Sequence, residues 1–114
     1  MQLSHDEFLE KLKKEKRLHI FDFRESNHFA KEHIKGAINL PLATLRLASE
    51  QLYAPLKQEH IYVLADPLET VDVLNELEKK GFQQIHHVRG DINSLIEKLP
   101  SERKGGLLHE IRST

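Results

Sequence analysis

The chain contains no cysteine. That absence excludes a disulfide framework, thiolate metal ligands and every cysteine nucleophile. Long hydrophobic runs are missing too. No window approaches the roughly 20 apolar residues of a membrane-spanning helix, and the opening MQLSHDEFLEKLKKEKRL lacks the unbroken apolar stretch of a signal peptide. No block of like charge stands out either. The 17 Lys and Arg are scattered among 18 Asp and Glu, so neither nucleic acid nor an anionic membrane is an expected partner. The expectation from these absences is a soluble, cytoplasmic protein without internal repeats or low-complexity segments.

What is present is one domain's worth of core. With 114 residues, 39% of them hydrophobic, the chain can bury a single compact core and no more. Ser4 followed by Glu7 is a capping-box signature, and Phe8, Leu9 and Leu12 place an apolar stripe behind it, so a helix is expected to open the domain. Leu18 to Phe23 (LHIFDF) reads as a strand. The polar cluster Arg24 to Asn27 interrupts it, and Phe29, Ala30 and Ile34 then resume helical spacing.

The pattern repeats along the chain. Ala37 to Leu40 is a second strand, bounded by Gly36 and Pro41, and Leu42, Leu45, Ala48 and Leu52 mark a helix. Ile61 to Ala65 is a third strand, Val71, Leu74 and Leu77 a helix stopped by Gly81, and Gln84 to Val88 a fourth strand. Ile92, Leu95, Ile96 and Leu99 form a last helix before Pro100. Strands alternating with helices imply an α/β fold whose mainly parallel sheet carries helices on both faces. The domain is expected over residues 1–100. Residues 101–114, with Gly105 and Gly106 and little periodicity, are expected as a loose C-terminal tail or an interaction appendage.

Three segments, in the right order, resemble the rhodanese-like domain family. They are IFDFRESNHFAKEHIKGAINLP from Ile20, the apolar IYVLA from Ile61, and GFQQIHHVRGDINSL from Gly81. The first is similar to the family's Asp-x-Arg followed by His-Ile-x-Gly-Ala-Ile-Asn-x-Pro. Asp22, Arg24, His33, Ile34, Gly36, Ala37, Ile38, Asn39 and Pro41 carry it here. Physically these residues speak of architecture. Gly36 permits a tight entry into a strand and Pro41 ends its ladder by lacking an N–H.

In active members, the resemblance implies, the third strand ends in a cysteine whose sulfur lies within a cradle of backbone N–H groups. Thiolate and persulfide anions suit such a cradle. The matching stretch here is Leu64-Ala65-Asp66-Pro67-Leu68-Glu69-Thr70. Strand-end alignment places Ala65 at the cysteine position, whereas counting back from Gly81 places Leu64 there, and neither side chain is a nucleophile. Asp66, Pro67 and Glu69 read as an N-cap, a proline at the first helical position and a glutamate at the third. Their carboxylates would repel an anionic substrate. The phosphatase relatives of the fold clamp phosphate with a loop arginine, and none lies between Leu64 and Lys80.

Other candidates read as structural. Asp22 with Arg24 suits an ion pair at a strand end, and His33 suits packing and a hydrogen bond near the second strand. His86 and His87 are adjacent on a strand and should face opposite ways, while His28 and His33 are five apart, so no metal is expected. No cofactor is expected either. The functional expectation is a catalytically inactive module linked to sulfur transfer that contacts another protein through residues 64–70 or the tail. The alternatives are a sensor of a small ligand or anion in the cleft at the strands' carboxyl ends, and a cysteine-independent enzyme, for which no Ser/His/Asp constellation is visible.

Overall fold

A computed structural model of the chain describes residues 1–110. The elements run in the order β1 (Gln2–Leu3), α1 (His5–Lys14), β2 (His19–Asp22), α2 (Ser26–Lys31), β3 (His33–Ile34), β4 (Ile38–Asn39) and α3 (Leu42–Leu47). They continue with α4 (Glu50–Tyr53), β5 (His60–Leu64), α5 (Thr70–Lys79), β6 (Gln84–Val88), α6 (Ile92–Glu97), β7 (Lys104–Gly105) and α7 (Leu107–Glu110).

Five strands form a wholly parallel sheet in the order β1-β6-β5-β2-β4. Successive residues of β2 and β5 feed opposite faces. Ile20, Tyr62 and Leu64 pack with Phe8 and Leu12 of α1 and Leu95 and Ile96 of α6. Phe21, Ile61 and Val63 pack with Leu45 of α3 and Val73 and Leu77 of α5. The central strands are therefore buried on both faces and read as short apolar runs rather than alternating ones. Each such side chain contributes roughly 1.5–3 kcal/mol relative to exposure. The expected α/β architecture is the one observed.

The capping box of α1 is formed as expected. Glu7 N–H donates to Ser4 Oγ at 3.1 Å and Ser4 N–H to Glu7 Oε1 at 2.9 Å. Ahead of it lies β1, which no sequence pattern announces, because two residues cannot display a period. It adds to the edge of β6 in the register Gln2 to His87 and Leu3 to Val88.

Several expectations are corrected. Ile34 is not on a helix: α2 ends at Lys31, Glu32 is extended, and Ile34 is fully buried from β3. The expected helix over residues 42–52 is two, broken at Ala48 and Ser49, and Leu52 is exposed while Leu42 and Leu45 are buried. On α5 the core face is Val73 and Leu77, and Val71 points to solvent.

The segment after Pro100 was expected to be loose, but its described part is fastened to the domain. β7 pairs antiparallel with β3, Lys35 N–H donates to Arg103 O at 2.8 Å, and His109 Nε2 lies 2.8 Å from Glu32 Oε2. The Arg103 guanidinium donates to the Leu12 and Glu15 carbonyls at the carboxyl end of α1, where unpaired carbonyls accumulate. Residues 111–114 lie outside the described residues. The glycine pair serves close approach rather than slack. Gly106 has φ +114°, and a Cβ there would stand 2.5 Å from the Lys31 carbonyl oxygen.

Gly106→Ala should therefore strain the backbone by about 1–3 kcal/mol and push β7 off β3. Amide exchange at Lys35, whose N–H is held by Arg103, is expected to accelerate at least about tenfold. Unchanged protection at Lys35 would contradict this account of the segment.

Candidate functional site

The motif residues at the carboxyl end of β2 build a buried polar knot. Asp22 is completely buried, and its carboxylate takes a forked pair of bonds from Arg24: Nε to Oδ1 at 3.1 Å and Nη2 to Oδ2 at 2.8 Å. The Arg24 backbone N–H adds a third at 3.0 Å, and Nη2 also donates to the Glu32 carbonyl at 2.8 Å. Asn39 on β4 donates its side-chain amide to the carbonyls of Asp22 and Arg24, at 3.0 and 2.8 Å. The Arg24 guanidinium thus ties β2 to the end of α2, and Asn39 ties β4 to β2 through the backbone. His33 Nδ1 is 2.6 Å from the Phe29 carbonyl oxygen, and its ring stacks on Phe29 at 3.9 Å. Gly36, at φ +86°, turns the chain between β3 and β4, and the Pro41 carbonyl accepts from Leu45 N–H to open α3.

The segment 64–70 follows β5. Leu64 ends the strand and Ala65 comes next, both buried at 1% exposure. Sequence reading made Asp66 the cap of α5, but that helix begins at Thr70 and its cap position, Glu69, makes no side-chain capping bond. Asp66 instead closes the turn ahead of the helix. Its Oδ1 accepts from Leu68 N–H at 2.8 Å, and its carbonyl accepts from Glu69 N–H at 2.8 Å and Thr70 Oγ1 at 3.0 Å. An aspartate that bonds the backbone two residues on is a common turn device, and Pro67 supplies the fixed φ of the next position. Asp and Pro serve turns and helix starts alike, which is why the sequence misplaces the boundary.

The turn decides the chemistry available at the strand end. Pro67 has no N–H, and those of Leu68 and Glu69 are already given to Asp66. Two of the backbone donors that could face an anion are thereby occupied within the turn.

Beyond the ends of β2, β5 and β6 lies a cleft of about 290 Å³ lined by Arg24, Glu25, His28, Asp66, Pro67, Glu69, Asp91, Ile92 and Asn93. It sits where strand order reverses, with β4 on one side of β2 and β5 on the other. Four carboxylates face one arginine whose charge is matched by buried Asp22. Asp91 also caps α6, accepting from Ser94 N–H and Oγ at 2.9 Å each. Those bonds hold its carboxyl below the ordinary carboxylate range, so it stays charged. Each of these exposed carboxylates opposes an incoming anion, less so as salt screens it. Sequence reading named no role for Glu25, Asp91 or Asn93; the one signal available is that each closely follows a strand's carboxyl end.

Two apolar side chains stand out beside the cleft. Leu68, at the tip of the turn, is 93% exposed, and Val71 is 68% exposed. His86 and His87 point to opposite faces, in register with Tyr62 and Val63. Among the described residues no group of three or more His, Cys, Asp or Glu is placed to hold a metal.

A parallel five-stranded sheet, a buried Asp-Arg pair after its second strand and a cleft over the strand ends define a rhodanese-like α/β domain. The family model for the rhodanese-like domain matches residues 4–98, and the chain belongs to that family. Among solved structures it resembles the rhodanese-like domain of the Alr3790 protein from Anabaena sp., with a TM-score of 0.74 and 21% identity over 94% of this chain and 80% of that one. The BH2092 protein from Bacillus halodurans gives a TM-score of 0.73 at 17% identity, covering 94% of this chain and 77% of that one. A thiosulfate sulfurtransferase from Pseudomonas aeruginosa matches at 25% identity and a TM-score of 0.63, over 81% of this chain but 18% of its own length. No curated protein sequence matches the chain.

Removing Arg24 would leave the Asp22 carboxylate buried and uncompensated. Arg24→Ala should cost about 3–5 kcal/mol in urea unfolding. Arg24→Lys should recover only part of that, because an ammonium cannot make the forked contact and also reach Glu32. A loss below about 1 kcal/mol for Arg24→Ala would show that the knot is not a main support.

Proposed function

We propose that this rhodanese-like domain is a non-catalytic interaction module linked to sulfur transfer, working in the cytoplasm by contact with another protein. The observation that carries the reading is the turn at Asp66–Glu69. It gives two of its amides to Asp66, has no sulfur nucleophile, and lifts Leu68 into solvent at 93% exposure. An exposed leucine between Asp66 and Glu69 in the chain is suited to a partner that offers an apolar pocket with a basic rim. Kinship with a thiosulfate sulfurtransferase at 25% identity supports the link to sulfur chemistry.

A second reading keeps a small ligand in the cleft, favoured by its 290 Å³ of space at the strands' carboxyl ends. With Glu25, Asp66, Glu69 and Asp91 around it, that ligand would be cationic or an amine rather than an anion. Thermal stabilisation by amines but not by thiosulfate, phosphate or sulfate is the result that would favour this reading.

Capture of partners by the tagged protein, identified by mass spectrometry, tests the leading reading against two variants. Leu68→Glu, and separately Asp66→Lys with Glu69→Lys, should reduce retention of a specific partner by about tenfold or more. A partner retained equally by both variants would move the contact elsewhere.

Chemistry gives an independent check. The purified protein should show no thiosulfate sulfurtransferase activity, and Ala65→Cys alone should not confer it. Asp66 and Glu69 disfavour both the thiolate and the approaching anion. Activity in the unaltered protein, or efficient transfer by Ala65→Cys alone, would overturn the reading.

A further inference from the structure

At the opposite end of the sheet from the cleft, two histidines that sequence distance separates are brought into contact. β5 and β6 run parallel with Tyr62 opposite His86, which sets His60 and His86 as diagonal neighbours on one face. His60 Nδ1 lies 2.7 Å from His86 Nε2, with the ring centroids 5.0 Å apart and the planes inclined by 20°. The Tyr62 ring lies 4.9 Å from that of His86, inclined by 21°. His60 is exposed, and the pair opens into a depression of about 390 Å³.

The contact is a single hydrogen bond in which one ring's N–H donates to the other's lone pair. Only one proton fits between the two nitrogens. His86 Nδ1 is buried with no hydrogen-bond partner among the described residues, so either tautomer strands a polar atom there, at a cost of about 1–3 kcal/mol. At least one imidazole lone pair is therefore always aimed at the other ring. Imidazole nitrogens converging from neighbouring strands are donors for a borderline divalent ion.

We propose that His60 Nδ1 and His86 Nε2 form a two-histidine site for a divalent transition-metal ion of the zinc class, with water completing the coordination. Two nitrogens about 2.0–2.1 Å from a tetrahedral ion stand about 3.3 Å apart. The rings must then separate by about 0.6 Å from their contact distance, which exposed His60 can supply by side-chain rotation. The Met1 ammonium, Lys11 and Arg17 line the same depression against Glu15 and Glu59, and the balance of one positive charge weakens the hold on a cation. His86 Nδ1 has no carboxylate or carbonyl to orient it, so affinity should be modest beside that of structural zinc centres.

Isothermal titration of the full chain with zinc chloride near neutral pH tests the site. One ion per chain is expected, with affinity reduced at least about tenfold in His60→Ala. His86→Gln should behave in the same way, and His28→Ala, in the cleft at the other end, should leave binding unchanged. In NMR spectra, zinc should move the ring signals of His60 and His86 and spare those of His28 and His109. No zinc binding by the unaltered protein, binding unaffected by His60→Ala, or binding lost in His28→Ala would overturn the proposal.

Discussion

The Asp22–Arg24 pair is the constraint on which the site end of this domain rests. A carboxylate with no exposure is tolerable only when its charge is met and its oxygens are bonded, and Arg24 does both through a forked contact plus its own backbone N–H. In doing so the guanidinium reaches the Glu32 carbonyl and fixes the end of α2, while Asn39 stitches β4 to the same corner. The position of the cleft wall follows from these bonds. So does the cleft's electrostatics, since an arginine spent on a buried aspartate has no charge left for a ligand.

The second constraint is the turn after β5. A strand end followed by a helix is a natural place to gather backbone N–H groups around an anion. Here Asp66 supplies the anion from within the chain, at hydrogen-bonding distance and in permanent residence. The scaffold of the family is thus retained around a strand end that has no cysteine and that gives two of its backbone donors to Asp66.

Much of this was legible in the sequence, for physical reasons. The Asp22, Arg24 and Asn39 knot lies within one contiguous motif, so its members could be named before their bonds were seen. The capping box at Ser4 and Glu7 is local and was readable. β1, β3 and β7 were not, because two-residue strands leave no period, and the helical spacing of Phe29, Ala30 and Ile34 concealed a turn into β3. The start of α5 was misread because aspartate and proline serve a turn and a helix cap equally well. The acidic cleft and the His60–His86 contact were invisible for a different reason. Their residues meet only through strand order and register, which no single segment encodes.

Both outer strands of the sheet, β1 and β4, are two residues long. A sheet grows by offering a partner a row of free amides and carbonyls, and two residues offer almost none. Past β4, Leu40 has already given its N–H to Asp22 O, and Pro41 has none to give. The domain thus buries long, apolar, aggregation-competent strands at its centre while presenting margins too short to template another chain. Edge-to-edge strand pairing is thereby disfavoured without reliance on a large net charge.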